Sequence, residues 1–186
     1  MACMPSARDF LFTLCLTVVV VFAAPAKSLA FTPVELLDGK LTIDIEDGWG
    51  PDKSRIAKQT IAAFKPKKGD AWGTVVRGTH GLDPAAIGDY LTRKSAEYTK
   101  GLAWLPKLTW LKKDTITLRG RQWADLRFIG QMPDAKDTKE GLLYTRILAT
   151  SYQGQLLEII FTSNTDRSDA TKAKIDRMIE SVKLID

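Results

Sequence analysis

Beyond residue 30 the chain has no cysteine, since Cys3 and Cys15 are the only two and both lie near the start. That excludes a disulfide scaffold and a thiolate metal site for the body of the protein. Histidine is almost as scarce, with His80 alone in 186 residues. A serine hydrolase would have one candidate base, and there is no Gly-x-Ser-x-Gly nucleophile turn to go with it. The glycines at 69, 73, 78 and 81 lack the lysine–serine pair and the helix start of a phosphate-binding loop, which argues against nucleotide chemistry. No segment repeats at a period of 20 to 50 residues, and there is no low-complexity tract.

Long apolar runs are also missing, with one exception. Phe10 to Ala24 is apolar, follows Arg8 and stops at Pro25. At about 15 residues it falls short of the ~20 that cross a bilayer as a helix. Ser28-Leu29-Ala30 then offers small residues where a signal peptidase reads. The expectation is a cleaved export signal over residues 1–30 and an extracytoplasmic, periplasm-like destination. An uncleaved anchor is the alternative, with Leu29 to Phe31 extending the run. Lipidation at Cys15 is disfavoured, because Leu14 precedes it and the apolar run continues past it.

Removing the leader leaves residues 31–186, a length that fits one domain with a real core. Charge is mild: 27 lysines and arginines stand against 22 acidic residues in the whole chain, a net +5. Nucleic-acid binders concentrate far more positive charge on one face, so no nucleic acid is expected as a partner.

Alternation of apolar and polar residues marks the strands. Val34 to Leu37 and Leu41 to Glu46 flank Asp38-Gly39, a dipeptide suited to a tight hairpin. Asp47-Gly48-Trp49-Gly50-Pro51 breaks the pattern. Gln59 to Lys65 and Trp72 to Thr79 read as partners across a basic turn. A helix is expected after Asp83-Pro84, with Asp83 as N-cap and Ile87, Tyr90, Leu91 and Tyr98 on one face up to Gly101. Trp104 to Trp110 reads as a connection containing Pro106. Strands follow at Asp114 to Leu118, Arg121 to Gln131, Leu142 to Tyr152 and Gln155 to Thr162, with a polar segment, Pro133 to Gly141, between the second and third. Leu157, Ile159 and Phe161 make one apolar face of the last strand, while Leu156 and Ile160 occupy the other, so it is expected to be central and covered on both sides. A terminal helix from about Ser168 to Lys183 carries Ile175, Met178, Ile179 and Val182 as a stripe. Short connections favour antiparallel pairing, and the expected class is α+β.

This order, together with Asp47-Gly48-Trp49, the run Gly154-Gln155-Leu156-Leu157-Glu158-Ile159-Ile160-Phe161-Thr162 and the ending Met178-Ile179-Glu180-Ser181-Val182, resembles the PsbP-like superfamily, including bacterial DcrB-like envelope proteins. The resemblance spans most of residues 33 to 185. It implies an α/β/α sandwich, a largely antiparallel sheet with helices on its faces, that works as a docking module. Relatives attach to photosystem II, bind a small GTPase, or reside in the envelope, and no shared catalytic constellation accompanies the fold. No catalytic, cofactor or metal residue is carried over, and no cofactor is expected.

Remaining candidates each have a plainer reading. His80 reads as a loop residue. Asp44, Glu46 and Asp47 read as a solvated strand face without the spacing of a calcium loop. Lys65, Lys67 and Lys68 around Pro66 read as a solubilising turn, or as a contact for an acidic protein or an anionic membrane surface. Of the five tryptophans, at positions 49, 72, 104, 110 and 123, most are expected in or beside the core, while Trp104 and Trp110 flank Pro106 where aromatics can form a binding surface. The leading expectation is an exported, non-enzymatic module that binds an envelope component. A small apolar-ligand or lipid-binding protein is the alternative, and a hydrolase with a carboxylate pair distant in sequence comes third.

Overall fold

The computed structural model describes residues 30–103, 105, 107–131, 142–164 and 169–186. The leader up to residue 29, Trp104, Pro106 and the polar segment before residue 142 lie outside the described residues. No described helix is long and apolar enough to cross a membrane.

The first hairpin pairs Phe31–Leu36 (β1) with Leu41–Glu46 (β2). Its turn is closed by the Lys40 amide donating to the Leu37 carbonyl at 3.0 Å. Asp38 and Gly39 at its centre have φ of +55° and +81°, a left-handed conformation that an Asp-Gly pair accepts at little cost. Leu41, Ile43 and Ile45 turn inward and are almost wholly buried. This hairpin does not join the main sheet. It forms a three-stranded sheet with Lys183–Leu184 (β10), a strand too short to carry a sequence signal.

The main sheet has seven strands: Trp49–Pro51 (β3), Thr60–Pro66 (β4), Ala71–Gly81 (β5), Leu108–Leu118 (β6), Arg121–Gln131 (β7), Leu142–Tyr152 (β8) and Gln155–Asn164 (β9). Their spatial order is β3-β4-β5-β9-β8-β7-β6, and every pairing is antiparallel. The strand with apolar residues on both faces, β9, stands at the centre, as expected. Several boundaries differ from the sequence reading, and two of the differences change an element's type. Trp49–Pro51 is a strand, despite the flanking glycines and proline, because it is a short edge element. Trp110 lies in β6, which begins at Leu108, so it is not part of a connection.

Helix α1, Ile87–Gly101, is entered through a single 3-10 turn, Pro84–Ala86. The Asp83 carboxylate caps that turn by accepting from the Ala85 amide at 2.9 Å. Helix α2 runs Asp169–Glu180 and stops earlier than its apolar stripe. The Ser181 hydroxyl donates to the Met178 carbonyl and accepts from the Asp44 amide, and the chain then joins β2 as β10.

Side chains alternate across β7, β8 and β9 and so divide between two apolar clusters. Trp123, Tyr144, Leu148, Leu157, Ile159 and Phe161 pack with β2 and the α2 stripe. Leu126, Phe128, Ile147 and Ala149 pack with Ile87 and Tyr90 of α1. The fold is α+β with a largely antiparallel sheet, and the face that carries α2 also carries the small second sheet. Each large side chain so buried contributes about 1.5–3 kcal/mol from removal of apolar surface from water.

Candidate functional site

Two turns meet at one end of the sheet. The β2–β3 connection needs Gly48 at φ +94°, and the β4–β5 turn needs Gly69 at φ +105°, conformations that other residues adopt only with strain. The Lys67 amide donates to the Gly48 carbonyl at 2.7 Å, tying the turns together, and the Asn164 amide donates to the Asp70 carbonyl at 2.8 Å, fixing the end of β9 beside them. Between these turns and the first part of α2 lies a cleft of about 730 Å³. Trp49 and Pro66 line its apolar part, and Trp49 meets Phe161 edge-on at 5.8 Å. Asp47, Lys67, Lys68 and Asp70 stand exposed around it. Lys174 of α2 bonds Glu46 at 2.6 Å. Among the described residues the buried side-chain oxygen of Asn164, which also lines the cleft, has no hydrogen-bond partner, nor does the Ser163 hydroxyl next to it in sequence.

The cleft therefore offers cations, carboxylates, an amide and an indole. Among the described residues the lining contains neither histidine nor cysteine. His80 is exposed near the far end of β5, nine residues from Ala71 and so about 30 Å away along an extended strand. Among the described residues no three or more His, Cys, Asp or Glu converge as metal ligands.

The basic turn divides. Lys65 pairs with Asp52 at 3.3 Å, while Lys67 and Lys68 reach the cleft. The Asp52 carboxyl is held below its ordinary range, chiefly by the Ser54 hydroxyl hydrogen bond at 2.6 Å. The acidic group departs from a solvated strand face: Glu46 is buried against Lys174, Asp44 is half-buried, and only Asp47 is exposed. Of the four described tryptophans, Trp123 is core. Trp72 stacks beneath Arg55 at 4.4 Å. Trp110 packs on Phe128 at 5.2 Å and donates to Thr99, which removes it from the role of a free aromatic surface.

Sequence reading missed two buried polar networks. Asp125 in β7 and Arg146 in β8 are 0% and 1% exposed. Asp125 accepts from Arg146 at 3.1 Å and from Arg127 at 2.7 Å, and Lys112 lies 3.5 Å away. Arg146 also reaches Asp176 of α2 at 2.9 Å, where the Tyr144 hydroxyl donates at 2.8 Å. This clamp fixes α2 on the sheet. Burial alone would raise the Asp125 pKa, but the Arg127 and Arg146 guanidinia outweigh it and hold the carboxyl below its usual range. On the other face, the Tyr90 hydroxyl donates to Glu158 at 2.5 Å and Lys94 lies 3.2 Å from the same carboxylate. Burial, reinforced by Glu158, pushes the Tyr90 phenol well up. The signal was present in β7, where Asp125 and Arg127 fall on the same alternating face as Trp123.

The chain shares the PsbP-like fold with solved structures. Solved structures that share it include cyanobacterial PsbP (CyanoP) from Synechocystis, at TM-score 0.60 and 11% identity over 86% of this chain and 95% of that one. The Ran-binding protein Mog1p of Saccharomyces cerevisiae aligns at TM-score 0.59 and 12% identity, over 86% and 97%. LpqN of Mycobacterium tuberculosis, described as involved in cell envelope biogenesis, aligns at 0.52 and 14%, over 84% and 91%. No protein-family model matches the chain, and no curated protein matches it by sequence. At these identities the likeness carries the fold and leaves function to the site.

Proposed function

We propose that residues 1–30 are an export signal and that the remainder is a single non-enzymatic domain, an α/β/α sandwich, which docks onto an envelope protein outside the cytoplasm. The carrying observation is the end-of-sheet cleft, where, among the described residues, exposed Lys67 and Lys68 and half-buried Trp49 converge beside Asn164 without a histidine or cysteine. An aromatic floor with a charged rim is the usual make-up of a protein contact. The Ran-binding description of Mog1p supports a binding module, and the envelope role given for LpqN supports the compartment.

The first strand starts at Phe31, directly after the proposed leader. A lipid-binding role would need a chamber between helix and sheet; among the described residues the two apolar clusters occupy that space. The proposal is tested by fusing residues 1–30 to a reporter active only outside the cytoplasm and sequencing the N-terminus of the full protein from cells. Reporter activity with a mature start at Phe31 is expected. An inactive fusion, or a protein that keeps residues 1–30, would overturn the export step.

A further inference from the structure

The net charge of the chain is not spread evenly along it. Residues 48–69 hold six lysines and arginines against one acidic residue, Asp52, a net +5, while the rest of the sequence carries 21 of each sign. The whole excess of +5 therefore sits at one edge of the main sheet, where β3 and β4 lie outermost. Lysines that only guard a sheet edge stand in the edge strand itself. Here Lys65 alone does so; Lys53, Arg55 and Lys58 occupy the β3–β4 connection, and Lys67 and Lys68 the β4–β5 turn.

That connection is held in shape. Asp52, 3% exposed, accepts from the Ser54 amide at 3.2 Å and lies 3.4 Å from Arg55. Its own amide donates to the Ala63 carbonyl at 2.8 Å, and the Thr60 amide donates to the Ala57 carbonyl at 2.9 Å. Residues 53–59 are nonetheless all exposed. At their centre Ile56 is 53% exposed, one of three large apolar side chains left open to water among the described residues, and Lys53, Arg55 and Lys58 flank it. A shallow groove of about 440 Å³ continues the patch, with Lys58 and Arg77 in its lining and no carboxylate among the described residues.

We propose that this edge lies against an anionic lipid bilayer, with Ile56 at the boundary between headgroups and acyl chains and Lys53, Lys58 and Arg77 facing the phosphates. An apolar tip set among cations is the make-up of an interfacial contact. A protein contact is built the other way, around an aromatic and apolar core depleted of lysine, and five of the six cations here are lysine. Lysine suits a fluid layer of phosphates because its point charge needs no fixed fork geometry. The one arginine of the six is already engaged by Asp52 and the Trp72 ring.

The test is co-sedimentation of the protein as isolated from producing cells with vesicles of phosphatidylglycerol mixed into phosphatidylcholine. Binding is expected to rise with the phosphatidylglycerol fraction, to fall with salt and to be absent on phosphatidylcholine alone. Lys53→Gln/Lys58→Gln is expected to weaken it roughly 25-fold, about fivefold for each charge removed. Ile56→Ser is expected to weaken it roughly tenfold with the salt dependence unchanged. As a second reading, Ile56→Cys in a chain with Cys3 and Cys15 replaced by alanine carries an environment-sensitive dye, whose emission should shift to the blue on phosphatidylglycerol vesicles. Equal binding to both kinds of vesicle, binding indifferent to these variants, or a dye that stays in water would overturn the proposal. So would no binding to either vesicle, the outcome expected of a surface that takes an acidic protein. Lys53, Ile56 and Lys58 do not line the cleft, so the docking reading stands or falls separately.

Discussion

Asp125 and Arg146 carry opposite charges into a layer otherwise filled by Trp123, Tyr144 and Ile159. Their burial is tolerable only because each charge is answered, Asp125 by two guanidinia and Arg146 by carboxylates of both sheet and helix. Asp125→Asn leaves Arg146 with half its partners and is expected to cost about 3–5 kcal/mol, the range for breaking one side of a buried pair. A urea titration at neutral pH measures it. The acid dependence follows from the depressed carboxyl. Its stabilising contribution is complete above the unfolded-state value, near 4, and is lost as pH falls through the lower folded-state value. Stability of the native chain should therefore drop on acidification below about pH 4, and that of Asp125→Asn should drop less. Equal slopes in the two proteins would show that Asp125 is not the group responsible.

The central strands show how an element is placed by what it lacks as much as by what it has. Gly73 in β5 faces Phe161 in β9, and a Cβ added there would fall 2.3 Å from the Phe161 ring. The aromatic side chain lies where that methyl group would be, and Trp49 closes over it edge-on. Gly73→Ala is expected to cost about 1–3 kcal/mol through forced displacement of that ring. The measurement is the urea midpoint of Gly73→Ala beside that of Gly73→Ala/Phe161→Leu; a coupling energy near zero would mean the ring is not the obstacle. The same strands explain which elements were legible. Leu156 to Phe161 reads as a strand apolar on both sides, and only a central position satisfies that. The α2 stripe and the Asp38-Gly39 hairpin are equally local signals. By contrast, β10 is two residues long, β3 is hidden among glycines and a proline, and the start of β6 is obscured by Pro106. Their pairing is decided by distant partners, which local periodicity does not encode.

For the whole molecule, the cleft gathers residues from β2, β3, the β4–β5 turn, β9 and α2. Lys67, Lys68, Asp47 and Trp49 each stand out in the sequence, but the contact between the two turns that joins them does not. Nor does the buried oxygen of Asn164, which depends on how β9 ends against Asp70. The account rests on this end of the molecule being the partner-contacting one. The most direct test is a photo-crosslinking amino acid placed at Lys68 in the full chain, irradiated in intact cells, with the same residue at Lys58 as a control on another exposed surface. The account predicts a discrete protein adduct from position 68 that disappears when Lys67→Glu is introduced, and none of that size from position 58. No adduct at position 68, or the same adduct from both positions, would contradict it.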